Sequence, residues 1–464
     1  MTAGSGGELF DIIVVGSGVV GCAMARRFTL EGASVLVIEK SSDTLDGASK
    51  ANSAILHTGF DAPPPGSQEQ GCIADGYDEY LQIRSRLNLP LLDCGALVLA
   101  WNEREVDKLD QILRDAHRNG VGSARLISRQ QVLQKEPQID PSVVAAVEVP
   151  DEFVIDPWSA PYAYLLQAIE NGARLERNCE LLSGSFNGDS WQLVTSRGQF
   201  HGRQVINCAG LFGDRINHLL TGGSSFEIRP RKGQFVVFDK SAASLTRSIL
   251  LPVPSETTKG IVVCPTIFGN LLVGPTAEEQ PSRDRADIDS SVLESLIGRG
   301  RSILPALEQH GVTATYAGIR PATEHKDYQI KWQPERNYCC VGGIRSTGLS
   351  AALGIATRVF REYAAAGLRQ QPLENPRWPK VPGISETRAR DWQQPDNGGI
   401  VCHCELVTRR EIEQALQGPI AAGSLAELKR RTRVTMGRCQ GFYCSAELSE
   451  LTEGLFQQAL GEKY

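Results

Sequence analysis

The chain lacks any run of eighteen consecutive apolar residues, so nothing in its 464 residues reads as a membrane-spanning helix. It lacks a basic excess. Its 48 lysines and arginines against 54 aspartates and glutamates leave a net charge of −6, with no electrostatic ground for nucleic-acid binding. Met1–Glu8 carry neither the basic nor the apolar stretch of a secretory signal. There is no internal repeat, which argues against a solenoid. Without a leader, twelve cysteines are expected in a reducing compartment, free or metal-bound. The expectation is a cytoplasmic protein, with docking at the inner membrane through a partner left open. Apolar content of 41% and charged content of 22% are ordinary for a soluble globular chain. The length calls for two or three domains.

What is present begins at the N-terminus. Residues 11–15, DIIVV, form a short apolar run suited to a buried parallel strand. The turn Gly16-Ser17-Gly18-Val19-Val20-Gly21 follows and opens a helix that Gly32 closes. Val35–Glu39 supplies the next strand, completing a βαβ unit. The first glycine permits a tight turn, the second lets backbone approach a pyrophosphate, and the third allows close helix–strand packing. The helix N-terminus favours phosphate charge. Glu39, eighteen residues after Gly21, stands where an acidic side chain binds ribose hydroxyls. No second well-formed G-x-G-x-x-G appears, which suits one FAD bound in an extended groove. Two later glycine clusters fit the same groove: Asn207-Cys208-Ala209-Gly210 at a strand end, and Gly342-Gly343-Ile344-Arg345-Ser346-Thr347-Gly348 before a helix-compatible Leu349–Tyr363.

Further strands are expected at 205–207, 235–238, 261–264 and 271–273, and helices at 74–87, 103–119, 158–170 and 290–301. Composition changes near Gly367. The stretch to Gly399 holds Pro372, Pro376, Pro379, Pro382 and Pro395, which argues for an extended connector. Beyond it, Thr408…Glu411 and Ser424…Glu427 match the capping box and predict two helix starts. The expected organisation is an oxidoreductase unit at 9–365, a linker at 366–398 and a small helical unit at 399–464.

That last unit holds Cys402, Cys404, Cys439 and Cys444, spaced C-x-C and C-x4-C. All-cysteine ligation suits iron–sulfur or zinc. Structural zinc usually uses C-x2–4-C pairs, and C-x-C is tight for two ligands on one ion. His403, between two cysteines, reads as solvent-facing. The basic run Lys429, Arg430, Arg431 and Arg433 reads as a solvated helix face, with partial neutralisation of a cluster as the alternative. The other eight cysteines read as small core residues.

The N-terminal fingerprint, VINCAGLFGD, AGIRPAT at 317–323 and GGIRSTG at 342–348 resemble the FAD-dependent D-amino-acid oxidase-like superfamily. SKANSAILHTGF at 49–60 resembles its glycerol-3-phosphate and L-2-hydroxyglutarate dehydrogenase branches. CHCELVTRREIEQAL and LAELKRRTRVTMGRCQGFYC resemble the bacterioferritin-associated-ferredoxin-like [2Fe–2S] domain, in the version carried by anaerobic glycerol-3-phosphate dehydrogenases. The resemblance implies an α/β fold: a Rossmann-like FAD domain with an inserted mixed α+β substrate domain, plus a small helical cluster domain. It implies FAD and a [2Fe–2S] cluster as cofactors, with Cys402, Cys404, Cys439 and Cys444 as ligands. Gly16, Ser17, Gly18, Val19, Val20, Gly21, Glu39, Lys40, Ser49, Asn52, Ser53, Ala209, Gly210, Gly343, Ser346, Thr347, Gly348 and Leu349 are the expected FAD contacts.

The implied chemistry is oxidation of a C–H bond bearing OH or NH, with the proton taken by a base. His57 holds the family's histidine position and is the candidate base. His325 is a weaker second. Arg320, in the GIRP stretch, is expected at the anionic end of the substrate, because guanidinium binds phosphate or carboxylate bidentately. Arg345 is next, in a turn where glycerol-3-phosphate enzymes commonly carry lysine. Arg231 and Lys232 are candidates for the same pocket. The expected substrate is sn-glycerol 3-phosphate, with L-2-hydroxyglutarate or another 2-hydroxy acid as the alternative and an imino acid or opine third. Electrons would pass to a quinone-linked or protein acceptor, through partner subunits if any. Rival readings are a non-catalytic electron-transfer subunit and an oxidase with a structural metal.

Overall fold

A computed structural model describes residues 8–254, 260–368, 370–456 and 459–460. Residues 1–7, read above as carrying no leader, lie outside the described residues. The expected βαβ unit is present: strand Leu9–Val15, helix Val19–Leu30 and strand Val35–Ile38, the strands parallel with Val15 opposite Ile38. All four residues of Val35–Ile38 are buried, as a central parallel strand requires. The sheet grows on one side through Arg174–Glu176 and on the other through Gly198–Asn207, both parallel. Tyr338–Gly342 also pairs in parallel with Gly198–Asn207. Helices Val19–Leu30, Ser159–Glu170 and Gly348–Ala365 share one apolar core with this sheet.

A second, nine-stranded sheet is mostly antiparallel. Its longest pair is Ile228–Phe238 against Val312–Thr323, in register from Ile228↔Thr323 inward and with Arg231 directly opposite Arg320. A small three-stranded sheet joins Ile55–Leu56 to Phe153–Ile155, and Leu91–Asp93 to the same strand.

The proline-rich stretch is extended but not loose. Leu373 N–H donates to Leu30 O, Val381 N–H to Leu87 O and Glu386 N–H to Ile267 O. Trp378 lies under the Arg86 guanidinium, 3.5 Å from its ring centroid. It is a strap along the flavoprotein unit. The C-terminal unit has its own small core of Val401, Val407, Ile412, Leu428, Val434 and Leu448 among others. Thr408 and Glu411 form the reciprocal capping box that the sequence predicts. Ser424 caps its helix, but Glu427 turns its carboxylate to Gly423 N–H and to residues of the flavoprotein unit, so only half of that box forms.

Candidate active site and metal centre

A cleft of about 1420 Å³ lies between the two sheets. Gly16, Gly18, Val19 and Val20 line one end. Gly16 sits at φ +100°, and a Cβ there would come within 2.8 Å of Cys208 O. A Cβ on Gly21 would stand 1.9 Å from Gly16 O, so the third glycine sets turn and helix in contact. Gly18 is the N-cap of Val19–Leu30 and makes no side-chain cap bond. Gly18, Val19 and Val20 at the helix start line the cleft, and Val19 N–H donates to Ser49 Oγ at 3.0 Å. Glu39, Lys40, Ser49, Asn52, Ser53, Ala209, Gly210, Gly343, Ser346, Gly348 and Leu349 also line the cleft. Ser17, Gly21 and Thr347 do not. Ser17 is fully buried and gives both N–H and Oγ–H to Glu39 Oε2, at 2.8 and 2.9 Å. Thr347 is buried behind the wall, where its hydroxyl meets Glu69 and Tyr328. These three stand behind the residues that line the groove. A glycine cradle, a helix N-terminus and a cleft of this volume fit FAD.

His57 lines the cleft directly after strand Ile55–Leu56. The pairing Ile55↔Val154 and Leu56↔Phe153 is antiparallel, and its next step sets His57 opposite Glu152. His57 Nδ1 is 3.0 Å from Glu152 Oε2. The Glu152 side chain is wholly buried, and Thr58 donates to its other oxygen from both N–H (2.6 Å) and Oγ1–H (2.7 Å). Ser350, in the first turn of Gly348–Ala365, accepts the His57 amide at 2.8 Å. Sequence reasoning missed Glu152, because only the strand pairing brings it to His57.

Arg320 lines the cleft with its guanidinium bonded to Thr276 O at 3.2 Å from both terminal nitrogens. Among the described residues no carboxylate pairs with it. Burial pulls it down to about 10, helped by the neighbouring Arg231 charge, so it remains cationic at neutral pH. A partly desolvated cation without a counter-charge favours an anionic guest. Gly233 makes the space, since a Cβ there would be 2.8 Å from Arg320 Nη2. Arg231 lines the same cleft and pairs with Glu279 at 3.0 Å. Arg345 also lines it, yet its Nη2 is taken by Lys326 O and by buried Glu69 at 3.4 Å. Lys232 is bound to Glu278 and Asp287 O, away from the cleft wall. His325 is exposed beside Glu324 and Ser225 O and does not join the site.

At the other end, Cys404 lies beside Cys439, and Cys402 beside Cys444. Cys402 and Cys444 are buried; Cys404 and Cys439 reach toward solvent. Backbone N–H groups of Tyr443, Gly441 and Phe442 point at the Cys439 sulfur and hold it below the usual thiol range. Among the described residues no three His, Cys, Asp or Glu side chains close on a single ion. Two thiol pairs suit a binuclear iron–sulfur centre better than one tetrahedral zinc. His403 is exposed, as expected.

The basic run is not a solvated face. Arg430 and Arg433 are buried, Arg431 donates to Tyr162 Oη at 2.7 Å, and Lys429 lies beside Cys444. Arg430 is 3.5 Å from Asp43, Arg177 is 3.1 Å from Glu427, and Ser424 bonds Asp43. Arg438 meets Asp239, just after strand Ile228–Phe238, at 2.7 Å. The cysteine unit is thus docked on both parts of the flavoprotein unit. Phe268 stacks on Trp158 (5.7 Å between centroids), and Trp158 Nε1–H donates to Lys50 O in the cleft-lining loop.

Residues 11–361 match the family described as FAD dependent oxidoreductase, and residues 400–453 the BFD-like [2Fe-2S] binding domain. The chain is 31% identical to a glycerol 3-phosphate dehydrogenase of Caloramator mitchellensis, over 96% of this chain and 94% of that protein. It is 28% identical to a glycerol 3-phosphate oxidase of Mycoplasma pneumoniae, over 76% of this chain and 94% of the oxidase. A solved structure of L-alpha-glycerophosphate oxidase from Mycoplasma pneumoniae with FAD bound superposes with a TM-score of 0.74 at 26% identity, covering 81% of this chain and all of that one.

Proposed function

The chain belongs to the family of FAD-dependent oxidoreductases, and on that premise we propose that it oxidises sn-glycerol 3-phosphate to dihydroxyacetone phosphate. The observation that carries this reading is Arg320, a partly buried cleft-lining guanidinium with no carboxylate partner among the described residues and with Arg231 opposite it on the adjoining strand. Two adjacent guanidiniums suit a phosphate dianion, which offers three oxygens to their donors. Arg345, the residue that sets this turn apart, is already engaged by Glu69 and Lys326. It therefore adds little to the 2-hydroxy acid alternative.

In this reading Arg320 and Arg231 hold the phosphate and so fix where the secondary alcohol lies. His57 takes the hydroxyl proton as the carbinol C–H bond breaks and the C=O bond forms. Bound FAD would supply hydride-accepting chemistry and a bound [2Fe–2S] cluster one-electron transfer. Gly343, Ser346, Gly348 and Leu349 would help hold the flavin, at a helix N-terminus that favours negative charge. Cys402, Cys404, Cys439 and Cys444 would hold the cluster. The acceptor is quinone-linked or a protein. No helix among the described residues is long and apolar enough to cross a membrane, so docking there would run through a partner. Steady-state rates with an artificial acceptor, on glycerol 3-phosphate, glycerol and L-2-hydroxyglutarate, test the reading. A kcat/KM for glycerol 3-phosphate no higher than for the other two would remove it.

A further inference from the structure

We propose that Glu152 is a positioning residue for the reaction: it holds the His57 ring in the tautomer that accepts the substrate proton and then stabilises the charged ring. The inference rests on His57 as the base and goes one step behind it. An ionised carboxylate only accepts hydrogen bonds, so the 3.0 Å contact from Glu152 Oε2 puts the neutral ring's proton on Nδ1. Nε2 is then the nitrogen that takes the proton. When it does, the ring becomes a cation 3.0 Å from a buried anion.

Glu152 accepts hydrogen bonds at both oxygens, one of them toward the His57 ring. Its second oxygen is satisfied by both donors of Thr58, which also fixes the side chain's orientation. Cys94, Cys264 and Tyr77 face it, and burial pushes all three up, Cys94 to about 12, so they stay neutral at working pH. Asp93 and Asp151 add further negative charge on that side, acting on Cys94 and Tyr77. No guanidinium or ammonium is paired with Glu152 among the described residues, so its charge is available to the imidazole. The placement is set by backbone register: the antiparallel pairing of Ile55–Leu56 with Phe153–Ile155 sets the two residues across from each other. The same arrangement of base and buried carboxylate orients histidine in acyl-transfer triads, where it works by tautomer and charge.

The test uses the full chain with FAD bound and glycerol 3-phosphate as substrate. Glu152→Gln keeps the shape and removes the charge, and its amide can donate to Nδ1, forcing the wrong tautomer. Expected is a fall in kcat of about 10²-fold or more with KM changed little. The acid limb of the pH profile should move to lower pH, because an imidazole without its anion binds its proton less tightly. Thr58→Val removes one Thr58 bond but leaves the charge, and should keep the limb in place. A Glu152→Gln variant with wild-type kcat and pH limb, in a protein where His57→Asn abolishes flavin reduction, overturns the role of Glu152 alone. A His57→Asn variant with undiminished flavin reduction overturns the base assignment, and the Glu152 inference with it. A Thr58→Val variant as slow and as shifted as Glu152→Gln would show that loop placement, not charge, matters.

Discussion

The Arg433 guanidinium carbon stands 4.1 Å from the centroid of the Phe268 ring, while its Nε–H donates to Glu405 at 2.8 Å. One residue therefore ties the turn after Cys404 to a ring that stacks on Trp158, beside the cofactor loop. Arg433→Ala leaves Glu405 buried with fewer partners and loses the cation–π contact. We expect flavin reduction by substrate to be unchanged and cluster reduction to slow by at least about tenfold. Stopped-flow absorbance at the two bands separates the steps.

Gly21 is the tightest point of the dinucleotide turn. A methyl group 1.9 Å from Gly16 O cannot be accommodated without moving the turn. Gly21→Ala should weaken FAD binding by more than about tenfold, read from flavin released on gel filtration. The C-terminal unit, with a core of its own, should keep its thiol centre, read from the iron-to-protein ratio.

On the proposed reading Arg320 is the main electrostatic contact for the substrate's anion. Arg320→Met should raise KM for glycerol 3-phosphate at least about 30-fold, and Arg320→Lys should recover only part of the loss. Gly233→Ala pushes against the same guanidinium and should raise KM in the same direction by less. Steady-state kinetics with an artificial acceptor measure all three.

Docking of the cysteine unit should depend on pH. Burial and the nearby Asp43 raise Glu427 from 4.5 to about 7, with Arg177 opposing. A raised carboxyl holds its proton in the docked state where the undocked state has lost it. The docked state is therefore favoured below 4.5 and loses stability as pH rises through about 7, by up to about 3 kcal/mol. Hydrogen exchange of Leu425–Thr432 should be faster at pH 8 than at pH 6 after correction for intrinsic rates, and Glu427→Gln should flatten the difference.

Much of this was legible in the sequence because local chemistry carries it. The βαβ unit and its glycine turn need only neighbours in the chain, and so does the Thr408–Glu411 capping box. The helix expected at 74–87 instead runs Gln68–Ile83, since Ser67 caps it earlier by accepting from Gln70 N–H. What the sequence withheld were relationships between distant strands and surfaces. Glu152 reaches His57 through strand pairing, and Ser17 and Thr347 turn out to sit behind the groove wall. The arginines after Leu428 look like a solvated face until Asp43, Tyr162 and Phe268 are seen against them.

The central claim is that substrate electrons enter at the flavin and leave through the cysteine centre of the same chain. Anaerobic mixing of the purified protein with glycerol 3-phosphate, followed at the flavin and iron–sulfur bands, tests it most directly. The account predicts that the flavin bleaches first and the iron–sulfur band falls after it, at a rate independent of protein concentration. A flavin left oxidised by glycerol 3-phosphate, or a cluster reduced only in proportion to protein concentration, would contradict it.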